Sequence, residues 1–336
     1  MEMVTGKKKL GMFEILKEAI LIPCKNINFI FFQVITSFSL FCILVYYEIL
    51  LQRTLFETSM ILTQHPGDFH CCWPIPSDHI TKKLNWEYTQ KLIQLSLLYL
   101  LPLHLLELYS ALMTVDLASK LYGKQESLTL KEMIQKPIQK ERLTGTFITS
   151  LYVLFLSTCT LLGLIWLVMN YFVFLRNYPV FDVFFAVIIG AAFVVLLTKY
   201  LEWTAMWNLC IVISVLEGIY GHEALALSAY YKRGSERRRL VLMLVFFVWG
   251  NGLRLPCLYS RCFEGGNGII AQVSLFCIGN VIKWIACMLY FYDCKDRIAE
   301  KNDCKEQIAE KNYCKERIVE DKADEEKGER DESAGK

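Results

Sequence analysis

Four ionisable residues sit where hydrocarbon is expected. His104 and Glu107 fall inside one long apolar run, Arg254 stands near Pro256 in another, and Lys283 lies near the middle of a third. A charge in hydrocarbon is costly, so such residues face a bundle interior, where they pair with one another or line a path for ions or protons. The spacing of His104 and Glu107 puts both on one face of a helix, one turn apart. A pairing of Glu107 with Lys283 or Arg254 would neutralise both partners and tie two helices together. A solvated path through the same four groups is the transport reading. His104 and Glu107 also have donor atoms for a metal, but no matching carboxylate and His pair stands on another apolar run, which argues against a di-metal bundle.

A second cluster, QHPGDFHCCWPIPSDH, gathers His65, His70, His79, Asp68, Asp78 and the vicinal Cys71 and Cys72. Adjacent cysteines do not easily share one ion, and Pro66, Pro74 and Pro76 belong to turns, so no metal site is assigned. In an oxidising compartment, a disulfide from Cys71 or Cys72 to Cys257 or Cys262 fits their expected placement at one membrane face. Cys294, with Cys304 and Cys314 beyond it, follows the last apolar run, which makes Cys294 a site for reversible palmitoylation; an unmodified thiol is the alternative. Phosphate-binding glycine loops, the GxSxG elbow, HExxH and the dinucleotide GxGxxG pattern are all missing, and His222–Glu223 lacks the second His of a zincin. The reading is therefore non-enzymatic, with no cofactor.

These residues need elements to hold them. Hydrophobic residues form 54% of the 336 and charged residues 21%, a balance foreign to a soluble fold. Crossing about 30 Å of hydrocarbon takes roughly 20 apolar residues as a helix. Six stretches qualify: Ile27 to Leu51, Leu92 to Leu117, Phe147 to Leu175, Val180 to Leu216, Leu240 to Cys262 and Ile269 to Tyr292. The predicted class is an all-α polytopic membrane protein, with residues 1–26 as a cytosolic amphipathic helix, 27–292 as the six-helix domain and 293–336 as a charged cytosolic tail. The fourth stretch is long for one crossing and carries Lys199, Glu202 and Asn208, so either a protruding helix or a break near Lys199 is expected. The apolar run beginning near Ile27 lacks a small-residue cleavage site and reads as a retained anchor.

Lys and Arg collect on one side of these crossings: Lys7 to Lys9, Lys17 and Lys25, then Lys120 to Arg142, then Lys232 to Arg239, then the tail. The opposite side receives Arg53, Lys82 and Lys83 in a long loop and little more than Arg176 and Arg261 after it. The basic side is expected to be cytosolic, with both termini there. Three stretches with basic ends, GMFEILKEAILIPCKN, SLTLKEMIQKPIQKERL and HEALALSAYYKRGSERRR, each precede an odd-numbered crossing. They read as interfacial helices facing anionic headgroups, or as ordinary connecting helices. A net charge of +2 gives no sign of a nucleic-acid partner. The expected partners are the bilayer and a cytosolic protein that meets the tail.

In the tail, Cys294, Cys304 and Cys314 recur at ten-residue intervals within CKDRIAEKND, CKEQIAEKNY and CKERIVEDKA. Ten residues turn a helix about 80° short of whole turns, so Ile298, Ile308 and Ile318 spiral and form no coiled-coil seam. The segment is expected to fade into disorder at DKADEEKGERDESAGK.

From Trp203 onward the run WTAMWNLCIVISVLEGIYGHEALALSAYYKRGSERRRLVLMLVFFVWG, with LKEAILIPCKNINFIFF near the start, resembles a family of plant multi-spanning membrane proteins of unknown function, some labelled polyadenylate-binding-protein-binding proteins. Glu217, Gly221, Ala224, Leu225, Ser228, Gly234 and Arg238 carry most of the likeness. The same pattern is loosely similar to the membrane domain of bacterial glycerophosphodiester phosphodiesterases; without a catalytic domain that activity does not carry over. The resemblance implies a multi-pass membrane fold and brings no mechanism. Three readings stand: a non-catalytic protein that organises lipid or recruits partners; a small-solute or ion transporter or channel using His104, Glu107, Arg254 and Lys283; and a membrane-embedded enzyme, which only an unpaired cluster of His, Asp or Cys at one depth would support.

Overall fold

A computed structural model of the chain describes residues 11–64, 86–124, 140–177, 182–231 and 236–334. All of the regular structure among them is helical: α1 (Met12–Lys25), α2 (Ile27–Gln64), α3 (Trp86–Leu98), a π turn (Tyr99–Leu103), α4 (His104–Lys124), α5 (Lys140–Asn177), α6 (Asp182–Leu216), α7 (Gly221–Tyr231), α8 (Glu236–Tyr259), the short α9 (Cys262–Gly265) and α10 (Asn267–Ala334). Six segments are long and apolar enough to cross a membrane: Ile27–Thr58, Gln90–Gly123, Arg142–Val168, Val187–Leu216, Arg237–Tyr259 and Asn267–Lys301. The protein is thus an all-α polytopic one, as its composition requires, since only helices and closed barrels satisfy backbone polar groups in lipid.

Several boundaries move. α2 runs on past Leu51 to Gln64, so Arg53, expected in a loop, is helical and pairs with Glu57 at 3.3 Å. The fourth crossing is one unbroken helix through Lys199, whose Nζ meets Glu202 at 3.0 Å one turn on. The loop cluster around Cys71 and Cys72, and the second basic stretch from Ser127 as far as residue 139, lie outside the described residues, while its end, Lys140 to Leu143, opens α5.

Local chemistry sets the breaks. Asn26 ends α1 and caps α2, its Oδ1 accepting from the N–H groups of Asn28 at 3.1 Å and Phe29 at 3.4 Å; this satisfies two of the free donors at a helix start. The π turn contains Pro102, which has no N–H to give to the ladder, so the second crossing widens there. Gly218 and Gly221 both take positive φ (70° and 63°) in the turn from α6 to α7, a conformation with a steric cost for any residue bearing a Cβ.

The crossings differ in how much they bury. From Trp284 to Phe291, α10 is buried on every side, the pattern of a helix at the centre of a bundle. On α5, Leu151, Tyr152, Phe155, Leu162 and Trp166 all stand exposed, an apolar surface suited to lipid. Leu40, Leu44, Leu103, Cys257, Ile269 and Val273 make one core that joins α2, the π turn, α8 and α10. On the basic side, α1 buries Ile15, Ala19 and Ile22 along one stripe, and α7 buries Ala224, Ser228 and Tyr231 along another. Both stripes follow the i, i+4, i+7 spacing of a single helix face.

Contacts divide the chain into two units, Met1–Phe291 and Tyr292–Lys336. In the second, helix continues to Ala334, so the expected disorder of the last stretch is not found through that residue. Glu is the commonest residue of the stretch and a good helix former, and the absence of proline lets the helix run on past its Asp and Gly residues.

Candidate functional site: charge pairs inside the bundle

The most buried carboxylate of the crossings is Glu48, a residue sequence reading passed over. α2 presents Glu48 and, one turn later, Gln52 on the same face; both are 2% exposed. α8 brings Arg254, whose Nε donates to Glu48 Oε1 at 2.9 Å, with Nη2 donating to the same oxygen. α10 brings Gln272, whose Nε2 donates to Glu48 Oε2 at 3.2 Å. Gln52 Nε2 in turn donates to Gln272 Oε1 at 2.8 Å. The result is a directed chain of donors that fills both carboxylate oxygens and ties three crossings together. Arg254 also lies over the Phe276 ring, 5.3 Å from its centroid, so its second face is covered by a cation–π contact.

The four expected groups do not meet as one cluster. Arg254 goes to Glu48. Glu107 has Lys283 as its partner, of the two considered, at 4.0 Å, a loose ion pair compared with the first. His104 Nε2 lies 3.4 Å from Ser150 Oγ on α5, and its tautomer decides which atom donates. A third, uncharged network joins α2 to α4: Gln33 Nε2 donates to Ser37 Oγ at 3.0 Å and Ser110 Oγ at 3.3 Å, and Thr114 Oγ1 donates to Gln33 Oε1 at 3.2 Å. Hydrogen bonds between crossings are a main source of cohesion in lipid, where burial of apolar surface between helices gains little.

The family-pattern residues occupy the basic side. Gly221 donates its N–H to Thr149 Oγ1 at 2.8 Å, which anchors the start of α7 on α5. Ala224 and Ser228 are fully buried, while Leu225 is half-buried and Glu217 closes α6. Arg238 lies in the first turn of α8, and Gly234 falls outside the described residues. Gly145, not singled out from sequence, is where the Tyr220 ring presses against α5; a Cβ there would overlap the ring.

Cys257 and Cys262 come close at the opposite end, where Gly268 lets both sulfurs approach, and both are free thiols. Their expected partners Cys71 and Cys72 are outside the described residues. Cys294 is 3% exposed, so acylation there requires the thiol to leave its present position. Among the described residues no three His, Cys, Asp or Glu side chains gather at one place. A cavity of about 290 Å³ opens between α5 and α6, lined by Leu167, Val168, Ile189, Gly190 and Phe193, none of which is ionisable.

Comparison with known proteins returns no match among curated proteins and none among solved structures. A family model, by contrast, matches from residue 4 to residue 295. The match takes in five crossings whole and the sixth as far as residue 295, and leaves most of the ten-residue repeat outside it. The chain belongs to the family described as a domain of unknown function, DUF8558.

Proposed function

We propose that this chain is a non-catalytic multi-pass membrane protein that organises lipid or recruits partners at its basic face, and that its intramembrane charges hold helices together. The observation that carries this reading is the saturation of Glu48, whose two oxygens are taken by Arg254 and Gln272. A transport site must exchange its partners for ions or protons during each cycle. A carboxylate fixed by two helices, with a 2% exposed residue behind it, is suited to cohesion. The positions of Lys and Arg favour a cytosolic basic face, with both termini there and the tail available to a protein partner.

The looser Glu107–Lys283 pair, with side chains 35% and 21% exposed, is what favours a transporter as the second reading. Proteoliposomes separate the two. Vesicles loaded with the purified chain are expected to leak protons and potassium no faster than empty ones. A flux that appears with the protein and disappears in Glu107→Gln would replace the structural reading with the transport one.

A further inference from the structure

Arg239 is the largest fully buried side chain among the described residues, 1% exposed. None of its guanidinium nitrogens, Nε, Nη1 and Nη2, has a hydrogen-bond partner there. A lysine so placed could lose its proton and become neutral, but a guanidinium stays charged at every pH a protein meets. An unpaired buried charge costs more than the packing around it returns, so this position favours an anion.

Among the described residues, the part of α6 level with Arg239 offers none. Asn208 of α6 donates to Met243 Sδ of α8 at 3.3 Å. Arg239 is one turn before Met243, which sets it level with Val212, one turn beyond Asn208 on the antiparallel neighbour. Val212 and Ile213 are fully buried and Val215 nearly so, and Ser214 between them donates its hydroxyl to Ile211 O at 2.8 Å, so this stretch brings no carboxylate.

The place supplies a second attraction for an anion. α8 starts at Glu236, so Arg239 belongs to its first turn, where the N–H groups have no acceptor within the helix and the dipole is positive. Side chains lean towards the N-terminus of their helix, which carries the guanidinium to that end. The apolar segment of α8 begins at Arg237, so this end lies at headgroup depth. Five N–H bonds of a guanidinium and the first-turn amides of a helix both match a tetrahedral oxyanion.

We infer that Arg239 and the N-terminal turn of α8 form a receptor for a phosphoryl group, supplied by an anionic phospholipid headgroup or by phosphate in solution. This deepens the lipid-organising part of the reading above and rests on the bilayer position of α8. Ion flux is a separate readout, so the two proposals fail independently.

The test uses the full chain in phosphatidylcholine nanodiscs, alone, with phosphatidic acid, or with inorganic phosphate in the buffer, followed by thermal unfolding. Phosphatidic acid is expected to raise the unfolding temperature of the native chain. Arg239→Met keeps the bulk without the charge; it should unfold above the native chain in phosphatidylcholine alone and show no shift with phosphatidic acid. Arg237→Gln, an exposed position in the same turn, should keep the shift. Should the Met variant not fold, Arg239→Lys decides the matter: it retains charge but loses the bidentate fork, and native mass spectrometry should show phosphatidic acid held about tenfold more weakly. A shift with the lipid alone assigns the site to headgroups, and one with inorganic phosphate as well assigns it to phosphoryl groups from either source. Equal shifts in the native chain and Arg239→Met, undiminished lipid retention in Arg239→Lys, or no shift of the native chain with either probe would each overturn the inference.

Discussion

Removing Arg254 should harm this protein more than removing the carboxylate it serves. In Arg254→Met, Glu48 remains 2% exposed with only the Gln272 amide against it. Breaking a buried pair from one side in this way costs about 3–5 kcal/mol. In Glu48→Gln the stranded group is Arg254, whose side chain is 39% exposed. It stands five residues before the end of the crossing at Tyr259, about 8 Å along the axis, within reach of the headgroups for a long flexible side chain. That variant should cost about 1–2 kcal/mol, the worth of the lost hydrogen bonds. The double variant removes both charges and should cost less than Arg254→Met alone, with a coupling of about 2 kcal/mol. Reversible denaturation in detergent micelles, followed by loss of helical circular dichroism, measures all three. Additivity within about 0.5 kcal/mol, or a costlier Glu48→Gln, would refute the account of this pair as the tie between α2 and α8.

Two other outcomes follow from geometry. At Gly279 of α10 an added Cβ would fall 2.9 Å from Trp249 Cδ1 of α8, and the indole Nε1 donates to Leu275 O at 3.4 Å; Gly279→Val should therefore force the two helices apart and lower stability by about 1–3 kcal/mol, visible as an earlier melt and altered tryptophan emission. With the basic face cytosolic, as proposed, a protease added outside sealed microsomes should remove a tag at the C-terminus; a protected tag would overturn that orientation.

Much of the architecture was legible because hydrocarbon imposes a simple length rule, and all six apolar runs coincide with crossings. Their ends were less legible. The first apolar run stops at Leu51, but its helix continues through Gln64 because Arg53, Glu57 and the Lys91 ammonium, 2.9 Å from Glu57, stabilise the polar extension. Glu48 escaped notice for a related reason: it lies near the end of its apolar run, and its partner is 206 positions away. Periodicity carries no record of such distant pairings. Arg239 was counted only as one more positive charge on the basic side. A local signal was present all the same, since Arg237, Arg238 and Arg239 fan out over about 200° of a helix entering a bundle, so one of them has to point inward.

The π turn at Tyr99–Leu103 acts as a phase shifter for the second crossing. One surplus residue taken up in a widened turn rotates everything beyond it by about 100° relative to an unbroken α-helix. His104 and Glu107 come immediately after that turn, so their aim towards Ser150 and Lys283 depends on it. Deleting a single residue between 99 and 103 would leave hydropathy, length and every charge unchanged in kind, yet it would swing Glu107 out of line with Lys283. Here the bearing of a polar side chain is set by a counting irregularity in the backbone several residues upstream.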